Sequence, residues 1–442
     1  MSKSASGKAI DDSTDMDKNV VHTGDCFDVL ADLPDNAIHA VVSDPPYGLA
    51  FMGRDWDDFE PKEYQEWCEQ WATEVKRVLK PGGHLLAFSG NRTHHRLFTG
   101  VEDTGFEIRD TLTWHYGSGF PKASDISKTI DKRADAEREV VGKSRWSDCG
   151  EAFSSDGSHD GYKRDAHERD GYKERHVTAP ATDAAKKWDG WKTGLKPATE
   201  FVVMARKPYD GATVDSVLEH GTGALNIEAC RVNTNDDLSA ASSGGFASGL
   251  HQNQNKSNPR ENTKSGFETP DREGRYPANV VFDETAAERL DQQVGKLETG
   301  DFHQNQANET QDKYGEYSGE YKNPTHYPAD SGGPSRYFYT SKASKAERTL
   351  DGKIDNAHPT VKPIDLMEWL VKLVTAEDQI VLDPFCGSGT TCMAAKNLNR
   401  QFIGIEQQPK WADVARVRVG LTPDDPSVAR GDDSQSGLEA YE

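Results

Sequence analysis

Apolar residues form two separate stretches of the chain in which strand-like runs alternate with helical patterns. In the first stretch, Ala37–Val42 is a short apolar run of the kind that forms a buried parallel strand, and a pair of prolines soon follows it. From Pro61 onward, apolar residues recur at steps of three and four, which predicts a helix that Lys80–Gly83 terminates. Two further strands are predicted, at His84–Phe88 and within Ile108–Trp114.

The second stretch begins near His358 and repeats this alternation. Apolar residues on one face predict a helix over Pro363–Val374, and Gln379–Leu382 has the pattern of a buried strand. A glycine-containing turn, a helix through Leu398 and a strand over Gln401–Ile405 follow. Strands that alternate with helices predict an α/β protein with a doubly wound, mostly parallel sheet.

The region between the two stretches, residues 135–340, is rich in Gly, Ser, Asn, Asp, Gln and His. Its composition is typical of loops rather than of a packed core. We predict one core strand in it, near 200–206. Flexible loops are predicted over the most polar segments, 146–180, 235–272 and 300–334.

These patterns divide the chain into five parts. The polar start and the acidic end are predicted to be disordered, and two halves of one sheet flank a large insertion. The predicted parts are 1–18, 19–134, 135–340, 341–420 and 421–442.

The balance of charge conflicts with a simple nucleic-acid binder. The chain carries a formal net charge of -22, whereas phosphate contacts require Lys and Arg. Either the partner is not nucleic acid, or the protein works at high salt. In about 1 M salt the Debye length is only about 3 Å, so distant acidic residues scarcely repel an anionic partner. We favour the second interpretation, a halophilic protein.

The cysteines and the apolar runs exclude several classes of protein. The 6 cysteines lack the CxxC spacing of structural zinc sites, so no metal site is predicted. The first residues lack the apolar region of a signal peptide, and no apolar run approaches the length of a membrane span. These features predict a cytoplasmic protein that does not associate with membranes.

A candidate cofactor site lies in the second stretch. A strand, a turn with Gly387 and Gly389, and a helix form the layout that holds nucleotide-like ligands, and Glu406 ends the next strand as an acceptor for ribose hydroxyls. The turn lacks the GK[ST] of a P-loop and the third glycine of the dinucleotide fingerprint. A ligand with one ribose and no pyrophosphate is favoured, and S-adenosylmethionine fits. The alternative is a tight turn followed by a solvated Glu.

A candidate catalytic site lies in the first stretch, at Asp44-Pro45-Pro46-Tyr47. The position is the predicted carboxyl end of a parallel strand, where open α/β sheets bind their ligands. An exocyclic amine of a base is a poor nucleophile, because its lone pair is delocalised into the ring. The Asp44 carboxylate and the Pro45 carbonyl could accept its two hydrogens, and Tyr47 offers a flat face to an extruded base. The alternative is a rigid strand exit with a solvated Asp.

Both motifs resemble the amino-methyltransferase family of DNA methylases, which modify N6 of adenine or N4 of cytosine. Asp44–Tyr47 matches the family's catalytic motif, and Asp383–Thr390 matches its cofactor motif. The catalytic motif comes first, as in the circularly permuted β-type members. The resemblance implies a Rossmann-like methyltransferase core, with residues 135–340 as the target-recognition region. Asp at the first motif position favours adenine over cytosine.

The resemblance also implies a set of cofactor-binding residues and partners. Asp25 corresponds to the residue that contacts the adenine of the cofactor, and Lys362 belongs to the segment that closes over its methionine part. The implied cofactor residues are Asp25, Lys362, Asp383, Pro384, Phe385, Gly387, Gly389, Thr390 and Glu406. The implied partner is double-stranded DNA, and a homodimer and a cognate restriction endonuclease are compatible with the family. The segments from Lys196 to Pro208 and from Gly221 to Arg231 resemble phage and prophage members.

Three alternative functions stay open at this point. The enzyme could methylate N4 of cytosine, or an amine or amide in RNA or protein, although such RNA and protein enzymes more often carry Asn at the position of Asp44. It could also be an inactive relative that binds DNA without turnover. Intact Asp44, Tyr47, Gly387 and Glu406 argue against such decay.

Overall fold

The structure is a computed structural model. It describes residues 16–49, 57, 59–119, 123–144, 175–233, 274–299, 302–304, 325–327, 330–341, 349, 350, 352, 354, 356, 358 and 361–428.

The described strands, in chain order, are β1 (Val20–Thr23), β2 (Ile38–Ser43), β3 (Leu79–Ser89), β4 (Glu107–His115), β5 (Val140–Ser144), β6 (Arg175–Thr178), β7 (Thr199–Arg206), β8 (Val280–Asp283), β9 (Leu297–Thr299), β10 (Phe302–Gln304), β11 (Thr325–Tyr327), β12 (Asp330–Gly332), β13 (Tyr339–Ser341), β14 (Ile380–Asp383) and β15 (Gln401–Glu406).

The described α-helices are α1 (Cys26–Asp32), α2 (Pro61–Val78), α3 (His94–Asp103), α4 (Ile126–Arg133), α5 (Asp183–Lys187), α6 (Thr213–His220), α7 (Glu284–Val294), α8 (Ile364–Val374), α9 (Thr390–Asn397) and α10 (Pro409–Arg418). Among these, no helix is long and apolar enough to cross a lipid bilayer.

Nine strands form one sheet in the order β1-β15-β14-β2-β3-β7-β4-β8-β13. Strand β7 runs antiparallel to both of its neighbours, β3 and β4, and the other neighbouring pairs are parallel. The carboxyl ends of the parallel strands therefore share one edge with the amino end of β7. This arrangement confirms the predicted α/β class with a mostly parallel, Rossmann-like sheet.

Helices cover both faces of the sheet because side chains of successive strand residues point to opposite faces. On β2, Val41 packs in a core with α1, α2 and α3, whereas Ala40 and Val42 pack in a second core with α8, α9 and α10. The predicted stripe on α2 is buried as expected, with Trp71 fully enclosed. The sheet is therefore doubly wound.

The region between the two halves contributes more to the sheet than one strand. The strand predicted near 200–206 is present as β7, but β8 and β13 also join the sheet. Strand β13 is held against α8, because the Tyr339 ring stacks on Trp369 at 5.3 Å and its hydroxyl donates to the Asp365 carbonyl at 3.0 Å. Strands this short, beside loop-like sequence, give too weak a pattern to be recognised in advance.

Two further boundaries differ from the prediction. The lysine-proline-glycine segment after α2 does not separate helix from strand, because β3 begins at once at Leu79 and runs through it. Residues 421–428, predicted to be part of a disordered tail, fold back on α10, where the Asp413 carboxylate accepts the backbone N–H groups of Asp424 and Asp425 at 2.7 and 3.0 Å. The predicted disorder of 1–15 and 429–442 lies outside the described residues, as do most of the predicted loops.

Candidate active site

The two predicted loops lie side by side at the carboxyl edge of the sheet. Strand β14 pairs with β2, so the cofactor turn after Asp383 is next to the catalytic loop after Ser43. The Ser43 hydroxyl donates to the Asp383 carboxylate at 2.5 Å, and both residues are almost fully buried. The contact joins residues that are 340 positions apart in sequence and fixes the two loops relative to each other.

The cofactor turn depends on two glycines with a left-handed backbone. Gly387 has φ of 52° and Gly389 has φ of 82°, a region that residues with a side chain rarely adopt. A Cβ atom on Gly389 would come within 2.7 Å of the Ala415 Cβ atom on α10, so the turn and this helix pack without space for a side chain. The glycines therefore set both the shape of the turn and its support.

Carboxylates surround this turn. Glu406, at the end of β15, accepts the backbone N–H of Gly387 at 3.0 Å and that of Gln408 at 2.8 Å. Burial raises the pKa of Glu406, although both hydrogen bonds oppose this shift. Burial likewise raises the pKa of Asp383 to about 6. Hydrogen bonds from the Ser43 hydroxyl and the Phe385 N–H lower this pKa, but burial outweighs them.

The other predicted cofactor residues occupy supporting positions. Asp25 caps α1 by accepting the Phe27 N–H at 2.8 Å, and its neighbour Gly24 donates to the Glu406 carbonyl at 3.0 Å. The Phe385 ring packs against two tryptophans of α2. The Thr390 hydroxyl accepts a hydrogen bond from buried Arg418 at 3.0 Å. Pro384 follows the end of β14 within the turn.

The catalytic loop is held by hydrogen bonds on both of its sides. Tyr64 of α2 donates its hydroxyl to the Pro46 carbonyl at 2.9 Å. Buried Asp57 accepts the backbone N–H groups of Gly48 and Leu49 at 2.7 and 3.1 Å. These contacts fasten Pro46 to α2 and the residues after Tyr47 to Asp57.

A network of four polar side chains forms around Asp44. Tyr47 donates its hydroxyl to Asp44 Oδ1 at 2.7 Å, and the Lys362 ammonium lies 2.6 Å from Asp44 Oδ2. Glu200, at the start of β7, contacts both donors through Oε2, at 3.0 Å from the tyrosine hydroxyl and 3.2 Å from the ammonium. One cation and two carboxylates are thus joined at the sheet edge.

The charge state of this network follows from its burial. Loss of water opposes the charge on Lys362, but the carboxylates of Asp44 and Glu200 outweigh this effect and raise its pKa. Burial and the same two carboxylates hold the pKa of Tyr47 well above its usual range. Both shifts favour a charged Lys362 and a neutral Tyr47 that donates its hydroxyl hydrogen.

Comparison with known proteins assigns the chain to a family. The sequence profile described as "DNA methylase", that of the N6/N4 methyltransferases, matches residues 38–416. The chain belongs to this family. It is a DNA methyltransferase of the N6/N4 family, and its methyl donor is S-adenosylmethionine.

Named relatives and solved structures of this methylase family can be compared along most of the chain. The Type II methyltransferase M.HindIII of Haemophilus influenzae is 24% identical over 91% of this chain and 95% of its own. The PvuII DNA methyltransferase (cytosine-N4-specific) covers 90% of this chain and 85% of its own at a TM-score of 0.42 and 16% identity. The M1.HpyAVI complex with SAM covers 90% of this chain and 98% of its own, at a TM-score of 0.34 and 16% identity.

The methylase site contains residues that the sequence did not indicate, among them Glu200 and Asp57. Glu200 was predicted only as part of a core strand, and its contacts arise because β7 runs antiparallel and starts where β2 ends. Lys362 was predicted as a cofactor-binding residue, which stays a prediction, and in the structure its ammonium lies against Asp44 and 4.8 Å from the centre of the Phe88 ring. The direction of β7 was the missing information, and apolar patterning does not reveal strand direction.

Proposed function

We propose that this methylase transfers a methyl group to N6 of an adenine that is turned out of double-stranded DNA. The observation that carries the proposal is the Asp44 carboxylate, held at the sheet edge directly beside the cofactor turn. Asp at the first position of the catalytic motif supports adenine as the target base. The cytosine N4 amine is the alternative target, because it also carries two hydrogens that Asp44 and Pro45 could accept.

The residues of the cofactor turn fit an adenosine-like ligand. A carboxylate offers about four lone-pair sites, and Glu406 uses two of them for backbone N–H groups, so acceptors remain for ribose hydroxyls. Gly387 and Gly389 allow close approach of the backbone. Asp25 lies next to the end of β15 and would contact the adenine ring. S-adenosylmethionine supplies an electrophilic methyl group when it is bound here.

Asp44 and Pro45 would act on the target amine. Two acceptors directed at its hydrogens would draw the nitrogen toward tetrahedral geometry and release the lone pair. As the N–C bond forms, the C–S bond of the donor would break to leave a neutral thioether, and one proton of the amine would pass to Asp44 or to water. The Asp44 carboxylate is one acceptor and the Pro45 carbonyl is the other, while the prolines leave no N–H group to compete for them. Tyr47 would stack on the extruded base.

Lys362 and Glu200 would position Asp44 as the acceptor. The ammonium and the tyrosine hydroxyl occupy both Asp44 oxygens, so an arriving amine must share one of them. Glu200 offers the same two donors another acceptor at 3.0–3.2 Å. We infer that Glu200 takes up these hydrogen bonds as the amine binds Asp44, and that it is a positioning residue.

The test is transfer of a labelled methyl group to duplex DNA, followed by digestion to nucleosides and mass spectrometry. We expect N6-methyladenine. Detection of N4-methylcytosine would overturn the choice of base, and transfer only to RNA or protein would overturn the choice of polymer. Single-molecule sequencing of plasmid DNA from cells that express the protein would then give the target sequence.

A high-salt working range is part of the proposal. The formal charge of -22 repels DNA at low ionic strength, and salt at about 1 M screens that repulsion beyond about 3 Å. Methyl transfer measured from low salt to molar KCl is expected to peak at high salt. An optimum at low salt contradicts a halophilic enzyme. A homodimer and a cognate endonuclease stay predictions, to be checked by light scattering and by cleavage assays with the neighbouring gene products.

A further inference from the structure

Beyond the active-site edge, the chain segments that adjoin β4 and β7 continue as a paired ribbon. Tyr116 N–H donates to the Ala198 carbonyl at 3.1 Å, directly after the last register pair of the sheet. Further out, Ser124 and Thr193 exchange hydrogen bonds of 2.8 and 3.1 Å. We call the described parts of 116–144 and 175–198 the arm. The arm leaves the sheet at its carboxyl edge, where Glu200 contacts the catalytic network.

The arm is braced internally by one buried ion pair. Asp131 on α4 is fully enclosed and lies 2.5 Å from the Arg138 guanidinium. The same carboxylate accepts the backbone N–H groups of Ala181 and Thr182, each at 3.0 Å. Two chain segments of the arm, α4 and the residues that lead into α5, are thereby fastened together.

The surface of the arm carries two exposed tryptophans in contact with each other. Trp188 and Trp191 are 39% and 60% exposed, and their rings meet edge to face at 5.0 Å. The Lys187 ammonium lies 5.8 Å from the centre of the Trp188 ring. Among the described residues, no carboxylate forms an ion pair with Lys187. A fixed pair of large apolar rings beside a cation is costly to leave in water and is typical of a binding surface.

The charge of this surface and its distance from the active site favour DNA as its partner. Residues 183–196 contain four lysines and two aspartates, a local excess of positive charge within a chain of net charge -22. Indole rings stack on bases and sugars, and lysine pairs with phosphate. Trp191 lies nine positions before Glu200, a separation of at most about 30 Å in extended chain. That distance is close to one turn of duplex, about 34 Å.

We infer that the Trp188–Trp191 pair, with Lys187, contacts the duplex within one turn of the target base. The inference rests on the proposed function, since it assumes that DNA binds at the Asp44 edge. The indoles would lie against sugars or an exposed base step, and Lys187 would pair with a phosphate. Such contacts are independent of sequence, so they raise affinity for DNA without selecting the target.

The test compares Trp188→Ala/Trp191→Ala with wild type, using a fluorescent duplex that contains the target sequence. We expect the dissociation constant for DNA to rise about tenfold or more. The KM for DNA should rise in parallel, while kcat at saturating DNA and the affinity for S-adenosylmethionine stay at their wild-type values. Trp188→Phe/Trp191→Phe should retain most of the affinity, because phenyl rings still stack. Lys187→Ala should lower the slope of log affinity against log salt by about 0.9.

Leu218→Ala is the matched control, since this side chain is 77% exposed on α6, outside the arm. If wild type methylates DNA and the double alanine variant binds DNA as wild type does, the inference is overturned and the proposed function stands. If wild type transfers no methyl group to DNA, the proposed function itself fails. Thermal melting identifies a variant that has lost its fold. If the double alanine variant is unfolded, the inference is tested by the phenylalanine and lysine variants and by whether DNA protects the tryptophan fluorescence of wild type from quenching by iodide.

Discussion

The Lys362 ammonium lies 2.6 Å from the Asp44 carboxylate, although 318 positions separate the two residues in sequence. Only 8% of the lysine side chain and 17% of the aspartate side chain are exposed. A buried ion pair of this kind is costly to break from one side, because the remaining charge loses its partner. Here Glu200 supplies a second carboxylate to the same cation, so the Lys362 ammonium keeps a partner when Asp44 is replaced.

Replacement of Asp44 by Ala is expected to abolish methyl transfer while cofactor affinity stays close to that of wild type. The acceptor of the target amine is lost, and losses of a preorganised charge of this type reduce kcat by about 100-fold or more. Single-turnover assays and calorimetric titration with S-adenosylmethionine separate the two effects. Asp28→Ala, an exposed residue on α1, is the control. Substantial turnover by the Asp44 variant would remove this residue from the mechanism.

Glu200→Gln is expected to lower kcat about tenfold with little change in the KM for S-adenosylmethionine. The amide accepts more weakly than the carboxylate, so Lys362 stays on Asp44 and competes with the target amine. Steady-state kinetics measure the split between kcat and KM. Glu107→Gln is a matched control. Glu107, at the start of β4, pairs with Arg206, at the end of β7, at 2.6 Å, so this ion pair lies at the opposite edge of the sheet from Glu200. Equal losses in both variants would indicate a purely structural effect.

Asp383 should make folding stability depend on pH. Its pKa rises from 3.8 to about 6 on folding, so the folded state binds more protons than the unfolded state between these values. This group's contribution is therefore most favourable below pH 4 and falls by about 3 kcal/mol as pH rises through 6. The measurement is urea unfolding of wild type and Asp383→Asn at pH 4.5 and 7.5. The stability difference between the two proteins should change with pH, and a constant difference contradicts the shift.

Gly389→Ala should destabilise the fold and weaken cofactor binding. The new methyl group would meet the Ala415 Cβ atom at 2.7 Å, in addition to the strain of a positive φ, which costs about 1–2 kcal/mol. Gly221→Ala separates the two contributions, because Gly221 has φ of 74° and ψ of 14°, close to the 82° and 27° of Gly389, and its added Cβ would meet only the end of the flexible Gln379 side chain, at 3.0 Å. Denaturant unfolding should give a larger loss for the Gly389 variant. Equal losses would mean that α10 can move away from the turn.

The sequence predicted the two loops but not the full network that joins them. Strand and helix periodicity located β2, α2, α8, β14 and β15, because each buries a continuous apolar face. The place of Glu200 in the site could not be predicted, since it depends on the antiparallel direction of β7. The short strands β8 and β13 were also missed, because each buries few residues and depends on neighbours far away in sequence for its stability.

The order of the strands has a consequence for synthesis of the protein. Strands β14 and β15 lie between β1 and β2 in the sheet, yet the ribosome makes them more than 330 residues after β2. The nascent chain must therefore leave a gap of two strands between β1 and β2 until the last part is translated. Ser43 has no Asp383 to bind before then. A chain released early cannot assemble the donor turn, so partial products of translation should be inert toward the genome.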